Sequence, residues 1–440
     1  MIMVSISRDI AYRALAQWTG DFGDPQAILE KLIPVDIKAE DSAFARELFF
    51  GVIKYQRKLD YISSKFLSAK KIGRKLNQII RLGVYQLLQT PNIPEYAVVS
   101  ESGDLAHKYF ARRQAGFINA VLRNIIRKKD NIKLPDKDNS PVEYLGVIYS
   151  YPDWLIERYI DRFGFDQTEQ FLDWCNKPPA LSFFINKYSG NERETIEKLQ
   201  GESIPVTANE VFDGFYLTSE PHRLINSQIF KSGRIIISDA AQGLSPKALN
   251  PEPGTTTLDL FAAPGSKTAA LSGMIGAGGM VIASDNNIKR IKLMRSNIRR
   301  WQTGNVFLIS SSALQFASRR NFRYILADVP CSGTGTMRRN PDLRWKLKPD
   351  EIRHQASKQS YFIQAAASML KTGGRLVYST CSIEPEENGQ IVKKFLKHNP
   401  GFRLKAVDDL KRFEEQSGIY SAMPHIHHSD GAFVAVIERG

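Results

Sequence analysis

A chain of 440 residues exceeds one ordinary core, so two or three domains are expected. Its 42% hydrophobic and 24% charged residues, with no window near the roughly 18 apolar residues of a membrane span and no signal-peptide core in Met1–Ile10, argue against a membrane protein and make the cytoplasm the expected compartment. The formal net charge of +14 favours a polyanionic partner such as nucleic acid, while three cysteines (Cys175, Cys331, Cys381) are too few for a disulfide framework or a four-ligand structural zinc site, so no metal is expected.

From Ile6 to about Lys129 the pattern is helical. Phe44, Leu48, Val52, Tyr55, Leu59, Ile62 and Phe66 recur at three- and four-residue steps, with Asp41-Ser42 as the expected N-terminal cap. Further helices are predicted over Leu76–Leu88, Tyr96–Tyr109 and Gln114–Ile126, so the front of the chain reads as an all-α bundle. Its basic residues cluster at Lys70, Lys71, Arg74 and Lys75, at Arg112 and Arg113, and at Arg123, Arg127, Lys128 and Lys129. One such cluster is an ordinary solvated helix end; three in one small bundle point to an RNA-facing surface. The runs Ala45-Arg46-Glu47-Leu48, Arg81-Leu82-Gly83-Val84-Tyr85, Ala97-Val98-Val99-Ser100-Glu101 and Gly116-Phe117-Ile118-Asn119-Ala120-Val121-Leu122-Arg123 resemble the RNA-binding domain of the antitermination factor NusB. That resemblance spans residues 1–132.

Lys133–Ser140 is a polar linker with Pro135. Residues 145–235 read as a helix pair (Pro152–Phe163 and Gln167–Cys175) leading into a small α+β subdomain, with strands expected at Leu181–Ile185 and Phe212–Leu217 and a helix at Asn191–Leu199. Cys175, beside Trp174 on an apolar face, reads as core. A third, α/β Rossmann-like domain occupies residues 236–440. The strand Thr257–Phe261 is followed at once by Ala262-Ala263-Pro264-Gly265-Ser266-Lys267-Thr268, small residues that let a cofactor approach the backbone and a helix N-terminus. With a single glycine, the loop matches neither a dinucleotide fingerprint nor a P-loop. The next strand ends at Asp285, placed to accept hydrogen bonds from ribose hydroxyls. Strands at Val306–Ile309 and Arg323–Ala327 follow.

Two apolar runs then end in cysteines: Tyr324–Ala327 continues into Asp328-Val329-Pro330-Cys331-Ser332-Gly333, and Arg375–Tyr378 into Ser379-Thr380-Cys381-Ser382, with a helical pattern from about Asp350 to Leu370 between them. A strand, a helix and a strand form a right-handed crossover with parallel strands, so neighbouring ends lie about 5 Å apart and both thiols can face one substrate. Together with the loop at 261–267 and Asp285, these motifs resemble the Nol/Nop/Sun family of S-adenosylmethionine-dependent RNA 5-methylcytosine methyltransferases. Arg338-Arg339-Asn340-Pro341-Asp342-Leu343-Arg344-Trp345 and the NusB-like front end are similar to its bacterial RsmB branch, which acts on 16S ribosomal RNA.

The resemblance implies S-adenosyl-L-methionine held by Phe261, Ala262, Ala263, Pro264, Gly265, Ser266, Lys267, Asp285 and Asp328. Phe261 and Ser266 stand where that family usually has Cys and Gly, and Ser311, in Ser310-Ser311-Ser312, stands for the usual acid near the adenine. It also implies that Cys381 adds to carbon 6 of cytosine, that Cys331 helps release the product, and that Asp328 hydrogen-bonds the activated base. Covalent logic alone allows the two cysteines to exchange roles. The substrate base must be single-stranded or flipped, with Trp345 and Tyr378 as candidates to hold its flat face. Two other functions are compatible with the residues: the same chemistry on transfer RNA, and a non-catalytic RNA-binding or assembly role on a degenerate methyltransferase fold.

Overall fold

The computed structural model describes residues 4–67, 72–316 and 321–440, so Lys70 and Lys71 lie outside the described residues. The chain divides into two compact units, Met1–Asn176 with Asn340–Lys346, and Lys177–Arg339 with Leu347–Gly440. Among the described residues no helix is long and apolar enough to cross a membrane.

The first unit is all-α. Its bundle consists of helices at Ile6–Asp21, Pro25–Leu32, Ala39–Ser64, Arg74–Gln89, Glu95–Tyr109 and Arg112–Lys128. Their apolar stripes meet in one core around Trp18, Leu48, Phe49, Ile80 and Leu122. Asp24 caps the second helix by accepting from the N–H groups of Gln26 and Ala27, with Pro25 preset in the first turn. The third helix starts before the expected Asp41-Ser42 cap, at Ala39. Asp41 instead accepts a hydrogen bond from the Ser7 hydroxyl at 2.7 Å, and a carboxylate in a first turn suits the helix dipole without capping it. Gly51, mid-helix, is required by close packing: a methyl group there would lie 2.2 Å from the Tyr85 ring.

Helices Pro141–Ile148, Asp153–Phe163 and Phe165–Asn176 complete this unit, together with Asn340–Lys346 from far along the chain. Cys175 is fully buried, as its apolar face suggests. Trp345 is part of the unit's core rather than a platform for a base. Its indole N–H donates to the Ile53 carbonyl at 2.7 Å, and its ring packs on the bundle core. Arg344 is fully buried, donates to Asn176 Oδ1 at 2.9 Å, and stacks 3.8 Å above the Tyr151 ring.

The second unit begins with a small antiparallel sheet. Strands β1 (Leu181–Ile185), β2 (Thr207–Ala208), β3 (Phe215–Thr218) and β4 (Ile235–Ile237) lie in the order β2-β3-β1-β4. β3 starts three residues later than the apolar pattern suggests, because Asn209 Oδ1 takes the N–H groups of Val211 and Phe212 into a turn. The large sheet contains β5 (Thr256–Leu260), β6 (Met280–Asp285), β7 (Val306–Ser310), β8 (Phe322–Asp328), β9 (Leu370–Thr380), β10 (Phe402–Leu404), β11 (Glu414–Gln416), β12 (Ile419–Ala422) and β13 (Ala432–Arg439). Its order is β11-β12-β13-β9-β8-β5-β6-β7, with β10 on β13. β5 to β9 run parallel, and β13 is antiparallel beside β9.

The central strands are apolar on both faces because both are covered. Leu258, Ile325 and Leu376 enter one core, and Tyr324, Leu326 and Val377 the other. The chain steps outward from β5 through β6 to β7, then returns to the far side of β5 as β8. Strand order therefore reverses between β5 and β8, and the crevice beyond their carboxyl ends is where such a sheet binds ligands.

Arg344→Ala should destabilise the helical unit by about 3 kcal/mol, since it strips a hydrogen bond from half-buried Asn176 and leaves a void over the buried Tyr151 ring. Chemical denaturation followed by far-ultraviolet circular dichroism checks this; an unchanged midpoint would contradict the packing argument.

Candidate active site

The turn leaving β5 is built for close approach. Phe261 and Gly265 both have positive φ (62° and 109°), and the helix Ser266–Ile275 opens directly from that glycine. The loop is fastened from the β6 side. Ala262 N–H donates to the Ser284 carbonyl at 2.9 Å, Ala263 N–H to Asp285 Oδ2 at 3.3 Å, and Asn297 Nδ2 to the Pro264 carbonyl at 3.0 Å. Arg290 bonds the Ala263 carbonyl and pairs with Asp285 at 3.3 Å. Asp285 is only 2% exposed and also accepts from Asn287 N–H. Ser311, at the end of β7, donates its N–H to the Asp285 carbonyl at 3.1 Å, so it sits beside this acid through its backbone.

Asp328 ends β8 with its side chain 28% exposed. It pairs with Lys267 Nζ at 2.5 Å and accepts from the Ser379 hydroxyl at 2.7 Å. β8 and β9 align Asp328 with Ser379. Three residues past one partner and two past the other stand Cys331 and Cys381, whose sulfurs are 3.2 Å apart. The Cys331 thiol is pushed well above its ordinary pKa by its contact with Cys381, by burial and by nearby Glu387, with the Gly333 N–H pulling the other way. The structure thus brings Lys267, Asp328, Cys331 and Cys381 to adjoining strand ends, and holds the 261–265 loop against Asp285.

Beneath the cysteines lies a buried carboxylate that the sequence reading missed. Glu387 Oε1 accepts from Ser332 N–H at 2.8 Å and Gln359 Nε2 at 3.0 Å, and Oε2 accepts from the hydroxyls of Ser332 and Ser382. Burial raises its pKa, and these donors oppose the rise. The available signal was that each cysteine is followed by a serine, two small donors that need an acceptor once buried. Tyr378 is not a stacking surface: it is fully buried and its hydroxyl donates to the Glu387 carbonyl at 2.7 Å. Arg339, from the turn after Cys331, joins Asp239 at 2.8 Å and Asp430 at 3.1 Å. In the helical unit, Arg112 and Arg123 line a groove of about 650 Å³ with Tyr96 and Asn119, whereas Lys129 is paired with Glu95.

The comparisons agree in kind. Family models match for 16S rRNA methyltransferase RsmB/F over residues 246–438, for the NusB family over 5–127, and for an RsmF/B-like ferredoxin-like domain over 151–222. A probable ribosomal RNA small subunit methyltransferase B of Synechocystis is 30% identical over 411 residues, covering 91% of each chain. The chain belongs to this methyltransferase family. A probable member from Bacillus subtilis is 27% identical over 98% of both chains. The crystal structure of PH0851 superposes with a TM-score of 0.81 at 26% identity, over 98% of this chain and 99% of that one. A methyltransferase homologue from Pyrococcus horikoshii gives 0.59 at 26% identity over 67% of this chain.

In this member of the family one more acid is held at the start of the helix Ser266–Ile275, through Thr268. Asp259, on β5, is buried; its Oδ2 accepts from the Thr268 hydroxyl at 2.5 Å and its Oδ1 has no partner among the described residues. Burial raises its pKa to about 7, Thr268 and Lys267 opposing and Asp328 assisting. An acid whose folded pKa lies above its unfolded value of about 4 stabilises the fold fully below that value and loses the contribution as pH rises through about 7. Asp259→Asn keeps an acceptor for Thr268 and removes the titration. Its melting temperature should gain on wild type between about pH 4 and 7 and hold a constant offset above that range. Parallel melting curves that never diverge with pH would contradict this.

Proposed function

We propose that this protein methylates carbon 5 of a cytosine in 16S ribosomal RNA through a covalent adduct on Cys381. The observation that carries the reading is the pair of sulfurs 3.2 Å apart beside Asp328, at the point where strand order reverses. The residues present suit S-adenosylmethionine. Asp285 is a buried acid at the end of β6 for the ribose hydroxyls, and Ala262 to Lys267 form a close-approach loop and helix start. The acids Asp285 and Asp328, at the ends of the two strands that flank β5, suit a sulfonium cation. When bound, that cofactor supplies an electrophilic methyl group. Ser311, bonded through its N–H to the Asp285 carbonyl, is the residue we assign to the adenine end.

In the proposed chemistry the Cys381 thiolate forms a bond to carbon 6, and the ring's electrons move to make carbon 5 nucleophilic. Asp328, steadied by Lys267 and Ser379, hydrogen-bonds the base and stabilises the charge that develops on it. After carbon 5 gains the methyl group, its proton leaves to a base, the carbon–sulfur bond breaks and Cys381 departs. The raised pKa of Cys331 suits a group that holds and hands on a proton next to that sulfur, which supports giving it the release step. In this reading residues 1–132 bind the RNA, the groove of Arg112 and Arg123 facing phosphates, residues 145–235 form the connecting subdomain, and residues 236–440 carry the chemistry.

Incubation with ribosomal RNA and S-adenosylmethionine, followed by denaturing electrophoresis, tests this. Cys381→Ala should lose methylation by about a thousandfold or more and show no shifted band. Cys331→Ala should accumulate a protein–RNA adduct. An adduct with Cys381→Ala alone would exchange the two roles, and no adduct with either would sink the covalent reading.

A further inference from the structure

Each cysteine turn hangs on the same group. Ser332 follows Cys331 and Ser382 follows Cys381, and both hydroxyls donate to Oε2 of Glu387. Oε1 takes the Ser332 N–H and the amide of Gln359, a residue of the helix Pro349–Ser368, whose Nε2 also donates to the Pro330 carbonyl at 2.9 Å. Four donors fill the acceptor capacity of an ionised carboxylate. The backbone of Glu387 is itself fixed, its carbonyl by Tyr378 OH and its neighbour Asn388 by the Thr380 hydroxyl at 2.6 Å. The carboxylate is fully buried.

We propose that Glu387 is a positioning residue for the methyl transfer. Its carboxylate ties the Cys331 turn to the Cys381 turn through Ser332 and Ser382 and so sets the separation of the two sulfurs. The role rests on reading the cysteines as the reacting pair. The site demands a carboxylate, not merely a polar side chain of that size. Ser382 Oγ accepts from Glu384 N–H at 3.0 Å and lies 3.2 Å from Thr334 Oγ1, which already accepts from Ile383 N–H; its single proton goes to Glu387. A glutamine with its N–H groups toward the Ser332 and Ser382 hydroxyls would force them to accept and to re-route their protons through their 3.1 Å contact. Turned the other way it would face the Ser332 and Gln359 N–H donors, so either orientation loses hydrogen bonds the carboxylate makes. An aspartate keeps the acceptors but draws them back by one methylene.

The test uses the full-length protein. Without RNA or methyl donor, oxidation by diamide and mass spectrometry of the cleaved protein give the rate at which Cys331 and Cys381 form a disulfide; steady-state assays give kcat and KM. In Glu387→Gln the cross-linking rate and kcat should each fall about tenfold or more, with KM for the methyl donor within about twofold of wild type. Glu387→Asp should recover part of both losses. Ser382→Ala, which cuts only the tie to the Cys381 turn, should slow cross-linking in the same direction and keeps the idea testable if the glutamine variant fails to fold. A folded Glu387→Gln or Ser382→Ala that cross-links at the wild-type rate would overturn the proposal. Because cross-linking needs no substrate, slow cross-linking upholds the positioning role even where product analysis finds the methyl group on another atom, an outcome that overturns the proposed function alone.

Discussion

The parallel pairing of β8 with β9 is the constraint on which the rest depends. Register fixes Asp328 opposite Ser379, and a slip of one residue would turn every side chain of one strand to the other face. That slip is blocked because both faces are buried: Ile325 and Leu376 fill one core, Leu326 and Val377 the other. Once the register is set, the short turns that follow have little freedom. Val329 N–H donates to the Ser379 carbonyl and Gly335 N–H to the Cys381 carbonyl, so each turn is hydrogen-bonded to the other. Gly335 and Gly431 allow this, since a methyl group on either would lie 2.7 Å from the other's Cα. The cysteines meet because the backbones beneath them are stitched together.

Charge is arranged with equal economy around the crevice. Asp259, Asp285 and Asp328 end or nearly end three adjacent parallel strands, where three like charges would repel one another strongly in a low dielectric. The structure gives them different environments. Asp285 has Arg290 and two backbone N–H groups, Asp328 has Lys267 and Ser379, and Asp259 has one hydroxyl and a pKa raised to about 7. Two of the acids thus have cationic partners, while the third, buried without one among the described residues, has its pKa raised. Lys267, in the first turn of the helix after the β5 loop, links that helix start to the Asp328 carboxylate by one ion pair.

The parallel strands of the large sheet were legible because they are largely apolar runs that stop at polar residues. The short antiparallel β10, β11 and β12, too brief for a pattern, were not, and β9 begins earlier than its apolar run, at Leu370. Met280–Asp285 and Val306–Ser310 lie within a residue or two of where the pattern puts them. The juxtaposition of the two cysteine turns was legible for the same reason, since strand, helix and strand leave little choice of geometry. What was hidden depends on hydrogen bonds between residues far apart in sequence. Asn209 stealing two N–H groups from an apolar stretch delays β3, and the third helix starts before Asp41 because that carboxylate has business with Ser7. Glu387 looks like one of several acids before a helix until both serines are seen to need it. Tyr378 and Trp345 could not be divided between core and surface by type alone, and each is claimed by a backbone carbonyl.

The segment Asn340–Lys346 shows how far such dependence reaches. It is encoded between the Cys331 turn and the helix that leads to Cys381, yet it folds with the helices of residues 1–176. Trp345 bonds the Ile53 carbonyl across 292 residues of sequence, Lys346 bonds the Gly23 carbonyl, and Arg344 fills a site bounded by Tyr149, Ser150, Tyr151 and Asn176. A helical front end cut from the protein would lack those three side chains and the packing of Trp345 and Arg344 on its core. The residues that complete its packing come from the connection between β8 and β9.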